Sequence, residues 1–241
     1  MSRIQARDRL IFALDVPSTD EAKALIARVG PSITFVKIGL ELYTAAGPDI
    51  VRYAIGEGKR VFLDLKFLDI EETVRRATTQ VAELGIEFLT IHANRKALTA
   101  AVQARQESSH GSRLKLLAVT VLTNFDAGDL RDMGIQLSVA DLVAARAQLA
   151  SEVGADGVIA SGEEPGVIRQ RVGGEFLIVT PGIRPAGKGV NEHARVATPE
   201  KAIRAGADYL VVGRPIRDAA DPKAAADAIV EEMQAAFDAR A

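Results

Sequence analysis

The chain has 241 residues, of which 48% are hydrophobic and 26% are charged, and its formal net charge at pH 7 is −2. The absence of cysteine excludes disulfides, thiolate metal sites and cysteine catalysis, and the near-neutral charge gives no basic footprint for nucleic acid. No apolar run reaches the ~18–20 residues of a membrane span and no signal segment is visible, so we expect a soluble, cytoplasmic protein that does not interact with membranes.

Short apolar runs bounded by Gly, Pro, Asn or Asp recur along the chain, and each predicts a β-strand. In chain order they occupy residues 10–15, 34–38, 61–66, 88–92, 115–122, 157–161, 176–181 and 209–213. Amphipathic segments between them predict helices. The first begins at the capping box Ser18-Thr-Asp-Glu21 and runs to about residue 28, and the second, at residues 40–58, is divided by Gly47-Pro48. Later helices are expected at residues 73–84, 97–106, 139–153, 163–171, 199–205 and 224–237.

Strands and helices therefore alternate eight times, with no linker or low-complexity segment between them. This order is typical of an α/β TIM (β/α)8 barrel, and we predict one barrel domain over residues 1–241. A doubly wound parallel sheet is the alternative, because alternation alone does not require the sheet to close. The count of eight favours the barrel.

The third run, Val61-Phe-Leu-Asp-Leu-Lys-Phe-Leu-Asp-Ile70, joins an apolar strand to three charged residues. Asp64 and Lys66 share one face of the strand, and Asp69 follows where the strand ends. Both faces of a parallel strand are buried, so charges there are rarely placed for stability alone. We interpret them as a site where an amine moves a proton beside a fixed negative charge. The alternative is an internal ion pair with Asp69 as a helix N-cap, since Asp69-Ile-Glu-Glu72 fits a capping box.

The loops after the seventh and eighth strands have the composition of a phosphate site, which TIM barrels often build there. They read Thr180-Pro-Gly-Ile-Arg-Pro-Ala-Gly-Lys-Gly189 and Val212-Gly-Arg-Pro-Ile216. Glycine lets backbone N–H groups approach an anion, and a guanidinium can bind two phosphate oxygens, so Arg184 and Arg214 are the candidate ligands. The alternative is that the glycines only form turns and the arginines are solvated. Residues 186–194 are expected to form a lid over the phosphate.

Further polar residues stand at the carboxyl ends of other predicted strands, where TIM barrels carry their chemistry. They are Asp15, Lys37, His92, Thr120, Thr123 and Ser161. We interpret His92 as a structural residue of the barrel end, and His110, in a probable surface loop, is assigned no role.

Taken together, these motifs resemble the orotidine 5′-phosphate decarboxylase family over nearly the whole chain. The resemblance is carried by Ala13-Leu-Asp15, Val36-Lys-Ile-Gly39, Asp64-Leu-Lys-Phe-Leu-Asp-Ile70, Val119-Thr-Val-Leu-Thr123, Thr180-Pro-Gly-Ile-Arg-Pro185 and Leu210-Val-Val-Gly-Arg-Pro215. The Asp-x-Lys-x-x-Asp core is shared with a wider group of barrels. The strand-two lysine and the two phosphate loops make the combination specific.

The resemblance implies a cofactor-independent decarboxylation of orotidine 5′-monophosphate to uridine 5′-monophosphate in de novo pyrimidine synthesis. It implies Lys66 as the proton donor within an array of Lys37, Asp64, Lys66 and Asp69. The resemblance also implies a homodimer in which Asp69 and Thr73 reach the neighbouring subunit's site. The remaining implied substrate contacts are Asp15 and Lys37 to ribose, Thr123 to the pyrimidine, and Gly213, Arg214 and Arg184 to phosphate.

The chain departs from the family pattern at several positions. Leu68 stands where the family usually has His, Glu71-Glu72 where it has Pro-Asn, and Asn124 where a Ser is common. In the lid, Glu192-His193 replaces Asp-Gln, and that glutamine bridges phosphate and pyrimidine in the family. We therefore expect His193 to contact phosphate without making the bridge.

Two other functions fit parts of the pattern. A Mg²⁺-dependent 3-keto-hexulose-phosphate synthase-like aldolase or decarboxylase would use Asp-x-Lys-x-x-Asp to hold the metal, although Lys37 would repel a cation. A non-catalytic phosphate-binding paralogue would account for the altered lid. The decarboxylase is favoured, with no metal and no cofactor.

Overall fold

The strands close into a barrel in the computed structural model of the protein, which describes residues 5–185 and 197–240. They are β1 Leu10–Ala13, β2 Phe35–Gly39, β3 Arg60–Phe67, β4 Phe88–His92, β5 Lys115–Val119, β6 Gly157–Ile159, β7 Leu177–Thr180 and β8 Tyr209–Val212. Each strand pairs in parallel with the next, and β8 returns to β1 with Leu210 opposite Leu10. The TIM barrel is thereby confirmed, and the doubly wound sheet, which would leave two edge strands unpaired, is excluded.

Helices surround the barrel and cover the outer faces of its strands. They are α1 Thr19–Val29, α2 Leu40–Ala46, α3 Asp49–Gly56, α4 Glu71–Glu83, α5 Arg95–Glu107, α6 Ala127–Asp132, α7 Val139–Val153, α8 Pro165–Val172, α9 Pro199–Ala205, α10 Arg214–Arg217 and α11 Pro222–Arg240. In the described residues, none of them combines the length and apolar character that crossing a bilayer demands.

The sequence predicted which segments form strands more accurately than it predicted where each strand ends. The run at 115–122 forms a strand only to Val119, and the run at 10–15 only to Ala13, because the ladder stops where neighbouring strands diverge into loops. Helix α6 was not predicted, since its six residues include little apolar surface. It begins at a capping box in which Asp126 and Asp129 each accept a hydrogen bond from the other's backbone N–H.

Four aromatic side chains pack together in the buried cluster inside the barrel, and we call them the aromatic floor: Phe35, Phe62, Phe88 and Tyr209. Phe88 lies edge-to-face with Phe35 at 4.9 Å between ring centroids and with Tyr209 at 5.1 Å. Such contacts between rings are favourable beyond the area they bury. The barrel is therefore a packed core and not a pore.

Polar residues lie directly above this floor, toward the carboxyl ends of the strands. Side chains two apart share a face, so Lys37 follows Phe35 into the barrel, Asp64 follows Phe62, and Thr90 follows Phe88. One layer of the interior is thus aromatic, and the next carries charge and hydroxyl groups.

Candidate active site

A cavity of about 340 Å³ opens above the aromatic floor at the carboxyl ends of the strands. It is the end of the barrel at which TIM-barrel enzymes carry their chemistry. Most of the site residues predicted from the sequence line it: Asp15, Lys37, Asp64, Lys66, Thr123, Arg184, Gly213 and Arg214. Six of these eight residues carry a charge at neutral pH, and four of the six are cations. The cavity is therefore suited to a polar, anionic molecule.

Acidic and basic groups alternate on one wall of the cavity, and we call them the charged cluster: Asp15, Lys37, Asp64 and Lys66. Lys37 Nζ lies 2.8 Å from Asp15 Oδ1 and 3.7 Å from Asp64 Oδ2. Lys66 Nζ donates to both oxygens of Asp64, each at 2.9 Å. The side chains of Lys37 and Asp64 are only 11% and 15% exposed, so their ion pair is largely shielded from water, whereas the side chain of Asp15 is 48% exposed.

The environment of Asp64 keeps its carboxylate charged. Burial opposes ionisation, but the two neighbouring ammonium groups of Lys37 and Lys66, and hydrogen bonds from Lys66 and Thr90, outweigh it. The pKa of Asp64 is therefore lower than its ordinary value. A fixed negative charge thus stands beside Lys66, as the sequence predicted.

The backbone that carries Lys66 is not a regular strand. Lys66 has φ +51°, the one positive value among non-glycine residues in the described part of the chain. The register between β3 and β4 runs from Leu63 opposite Leu89 to Phe67 opposite Ile91, so residues 64–66 face Thr90 alone. This is a β-bulge, a device that re-aims side chains near active sites. It brings the ammonium of Lys66 back onto the carboxylate of Asp64.

Sequence reasoning missed Thr90, which is fully buried beside the bulge. Its Oγ1 accepts a hydrogen bond from Lys66 N at 3.0 Å and donates one to Asp64 Oδ1 at 2.8 Å. The signal in the sequence was a threonine between Leu89 and Ile91 in an apolar strand, which is also common in ordinary strands.

Arginines that follow β7 and β8 also line the cavity. Arg184 and Arg214 were predicted there, and Arg217 was not. Burial, and then the nearby charge of Arg214, lowers the pKa of Arg184, since two guanidinium groups face the same space. Arg217 is bound to Asp218, and its Nη1 donates to the backbone oxygen of Asp15 at 2.8 Å. An anion between Arg184 and Arg214 would relieve the repulsion of the two cations.

Asp69 and Thr73 do not join the cavity of their own chain. Both are exposed, and Asp69 Oδ1 accepts a hydrogen bond from Ile70 N at 2.7 Å. The N-cap of α4 is Ile70, without a side-chain hydrogen bond, so the alternative interpretation of Asp69 as the N-cap was wrong. Because the helix begins one residue later, the carboxylate of Asp69 is left on the surface of the loop.

The two glutamates that replace Pro-Asn of the family pattern are neutralised locally. Both lie in the first turn of α4. Glu72 accepts hydrogen bonds from Arg75 at 2.9 Å and from Arg76 at 2.6 Å, and these hold its pKa at about 2. Glu71 lies 3.4 Å from Lys96 Nζ. Both negative charges are therefore paired with basic side chains of α4 and α5.

The histidines fall into three situations. His92 borders a second cavity, where burial, and then the charges of Arg146 and Lys66, lowers the pKa of its imidazole. His110 is exposed, and its Nδ1 lies 3.1 Å from Glu83. His193 and the expected lid at 186–194 lie outside the described residues. No group of three His, Asp or Glu side chains that could hold a metal ion occurs within residues 5–185 and 197–240.

Comparisons with known proteins give a consistent family. A family model described as Orotidine 5'-phosphate decarboxylase / HUMPS family matches residues 8–229. The Orotidine 5'-phosphate decarboxylase of Rhodopseudomonas palustris (strain ATCC BAA-98 / CGA009) is 52% identical over 233 residues, 97% of each chain. That of Bradyrhizobium diazoefficiens is 50% identical over 238 residues, 99% of each chain. The crystal structure of Orotidine 5'-phosphate decarboxylase from Lactobacillus acidophilus has a TM-score of 0.83 at 38% identity, covering 93% of this chain and 98% of that chain.

Proposed function

The chain belongs to the orotidine 5′-phosphate decarboxylase / HUMPS family, and we propose that it decarboxylates orotidine 5′-monophosphate with Lys66 as the proton donor. The observation that carries the proposal is the charged cluster, in which two ammonium groups flank one largely buried carboxylate on the wall of the cavity. The reaction would serve de novo pyrimidine synthesis in the cytoplasm.

The dimensions and charges of the cavity support a nucleotide substrate. Arg184, Arg214 and the backbone at Gly213 would bind the phosphate on one side. Asp15 and Lys37 would bind the ribose hydroxyls, and Thr123 the edge of the pyrimidine. The pyrimidine ring would then lie against the ammonium of Lys66. His193 would add a contact to the phosphate.

The chemistry required is the breaking of one carbon–carbon bond. CO₂ leaves, the electron pair remains on C6 of the pyrimidine, and that carbon takes a proton. The ammonium of Lys66, which lies 2.9 Å from Asp64 Oδ1, would stabilise the developing negative charge and then supply the proton. The charges are positioned before the substrate arrives, so little reorganisation is needed as the carbanion forms.

We propose that the active protein is a homodimer with shared sites. Asp69, in the loop before α4, and Thr73, in the first turn of α4, are exposed outside their own cavity, and the apolar side chains of Leu68 and Ile70 in that loop are 58% and 71% exposed. In the dimer, the partner subunit's Asp69 would lie beside the substrate carboxylate, where repulsion favours loss of CO₂. The partner subunit's Thr73 would contact the substrate.

The metal-dependent alternative has less support in the cavity. Both oxygens of Asp64 accept hydrogen bonds from Lys66, and Lys37 lies 3.7 Å from one of them. A Mg²⁺ ion at this carboxylate would have to displace one ammonium group and stand beside the other.

The test is CO₂ release from orotidine 5′-monophosphate by purified protein dialysed against EDTA. We expect turnover in the wild type without added Mg²⁺, no measurable turnover in Lys66→Ala, and normal turnover in Lys223→Ala, an exposed lysine of α11 that pairs with Asp227. The folds of both variants are checked by circular dichroism.

Three results would contradict the proposal. Near-normal turnover in Lys66→Ala would exclude Lys66 as the donor. Activity that is lost in EDTA and restored by Mg²⁺ would favour the aldolase-like enzyme. Tight binding of the nucleotide with no CO₂ release would establish a non-catalytic paralogue.

A further inference from the structure

We propose that Thr90 is a positioning residue that fixes both the backbone and the ammonium group of Lys66 through a single hydroxyl. The inference rests on the proposed function, in which Lys66 supplies the proton. Thr90 would not touch the substrate itself, because its side chain is fully buried and does not line the cavity.

The first step of the argument concerns the backbone of Lys66. At φ +51° this residue occupies the left-handed region, which is strained for an L-residue and persists only where its surroundings hold it there. The bulge also removes the Lys66 N–H from the regular ladder with β4. Thr90 Oγ1 accepts that N–H at 3.0 Å and so replaces the missing ladder partner. A buried amide would otherwise lack an acceptor.

The second step concerns the side chain. The hydroxyl hydrogen of Thr90 is directed at Asp64 Oδ1, at 2.8 Å, and the same oxygen accepts from Lys66 Nζ at 2.9 Å. The atoms form a closed ring, from Lys66 N through Thr90 and the carboxylate of Asp64 to Lys66 Nζ. One end of the ring holds the backbone of Lys66, and the other holds its amine. Neither can shift without breaking a shielded hydrogen bond.

A hydroxyl is the smallest group that can do both, because it donates one hydrogen bond and accepts another. Valine has the same shape but can do neither. Serine keeps both hydrogen bonds and loses only a methyl group. The pair of variants Thr90→Val and Thr90→Ser therefore separates the hydrogen bonds from the packing.

The experiment measures kcat and KM for the wild type and for these two variants. In Thr90→Val we expect kcat to fall at least about tenfold while KM changes less than about threefold, because a shielded hydrogen bond to a charged group is lost but the phosphate contacts remain. Thr90→Ser should restore kcat to within about threefold of the wild type. The control is Thr78→Val, which removes a fully buried hydroxyl of α4 that has no hydrogen-bond partner in the described part of the chain.

A second readout does not depend on activity. Hydrogen–deuterium exchange of the Lys66 amide should speed up at least about tenfold in Thr90→Val and stay near the wild-type rate in Thr90→Ser and Thr78→Val. This measurement tests the hydrogen bond even if the wild type releases no CO₂. Absence of CO₂ release would refute the proposed function, and the hydrogen-bonded ring would then be tested by the exchange rates alone.

Two outcomes would overturn the inference. Wild-type kcat in Thr90→Val would mean that Lys66 is positioned without the hydroxyl. Equal losses of kcat in Thr90→Val and Thr90→Ser, with unchanged exchange at Lys66, would mean that the side chain acts by packing alone.

Discussion

Asp64 is the residue on which the charged cluster depends, because it binds both ammonium groups and the hydroxyl of Thr90. Its negative charge is maintained by its neighbours against the cost of burial. A carboxylate with so many favourable contacts couples the stability of the protein to pH.

We expect Asp64 to stabilise the folded protein only where it is ionised. The pKa of Asp64 is lower in the folded chain than in the unfolded chain, where an aspartate carboxyl titrates at about 3.9. Its contribution to stability is therefore fully present above the unfolded value. The contribution disappears as the pH falls through the lower folded value. The measurement is urea unfolding of the wild type and Asp64→Asn from pH 3 to 7. The gap in the free energy of unfolding between them should narrow below about pH 4. A gap that does not vary with pH would show that Asp64 is not held charged.

The backbone at Lys66 gives a second prediction at this scale. Lys66→Gly and Lys66→Ala both remove the amine, but only glycine adopts φ +51° without strain. We expect Lys66→Gly to be more stable than Lys66→Ala by about 1 kcal/mol in denaturant unfolding, which reverses the usual order for a strand. If alanine were equally stable, the left-handed backbone would not be an intrinsic requirement of the bulge.

Among the elements of the barrel, the aromatic floor supports the site from below. The charged layer lies directly on rings that are nearly or fully buried. We expect Phe88→Ala to lower the free energy of unfolding by about 3–5 kcal/mol, because Phe88 contacts three other rings and its removal leaves a cavity. Leu137→Ala, at a side chain that is 50% exposed, should change stability by less than about 0.5 kcal/mol. Similar effects from the two substitutions would show that the floor is not a packed core.

The alternation of side chains along the strands explains what could be predicted from the sequence. Period two placed Lys37 and Asp64 inside the barrel, and the apolar runs gave the strand order. The same rule also placed Lys66 beside Asp64, but it did not predict the bulge that carries Lys66, because no residue in the segment marks it. Thr90 was missed because its role depends on a contact 24 residues away in the chain, which a local pattern does not contain. The roles of Asp69 and Thr73 stay predictions, since they require a second chain.

At the scale of the whole molecule, the loop between β3 and α4 exposes apolar side chains that a single chain does not cover. Leu68 and Ile70 expose apolar surface beside Asp69 and Thr73. In the dimer proposed above, a second copy of the chain would cover these side chains and complete two equivalent sites at once.

This arrangement predicts complementation between inactive variants. Mixing Lys66→Ala with Asp69→Ala subunits gives mixed dimers in which one site carries both substitutions and the other carries neither. Random exchange should restore about a quarter of wild-type activity, measured as CO₂ release. Lys66→Ala mixed with Asp64→Ala is the matched control, because both residues belong to the same site, and no activity should return. Failure of the first mixture, with subunit exchange demonstrated by native mass spectrometry, would mean that each site is built within one chain.

The left-handed backbone at Lys66 also has an evolutionary consequence. A position that glycine would occupy with less strain carries lysine in this chain, and without a requirement for the amine, substitutions that relieve the strain would be tolerated there. Relatives that have given up the reaction while keeping the barrel should therefore accumulate glycine or asparagine at this position before their aromatic floor changes. Retention of lysine there would indicate continued selection for the proposed proton transfer, and it can be read from a sequence without an assay.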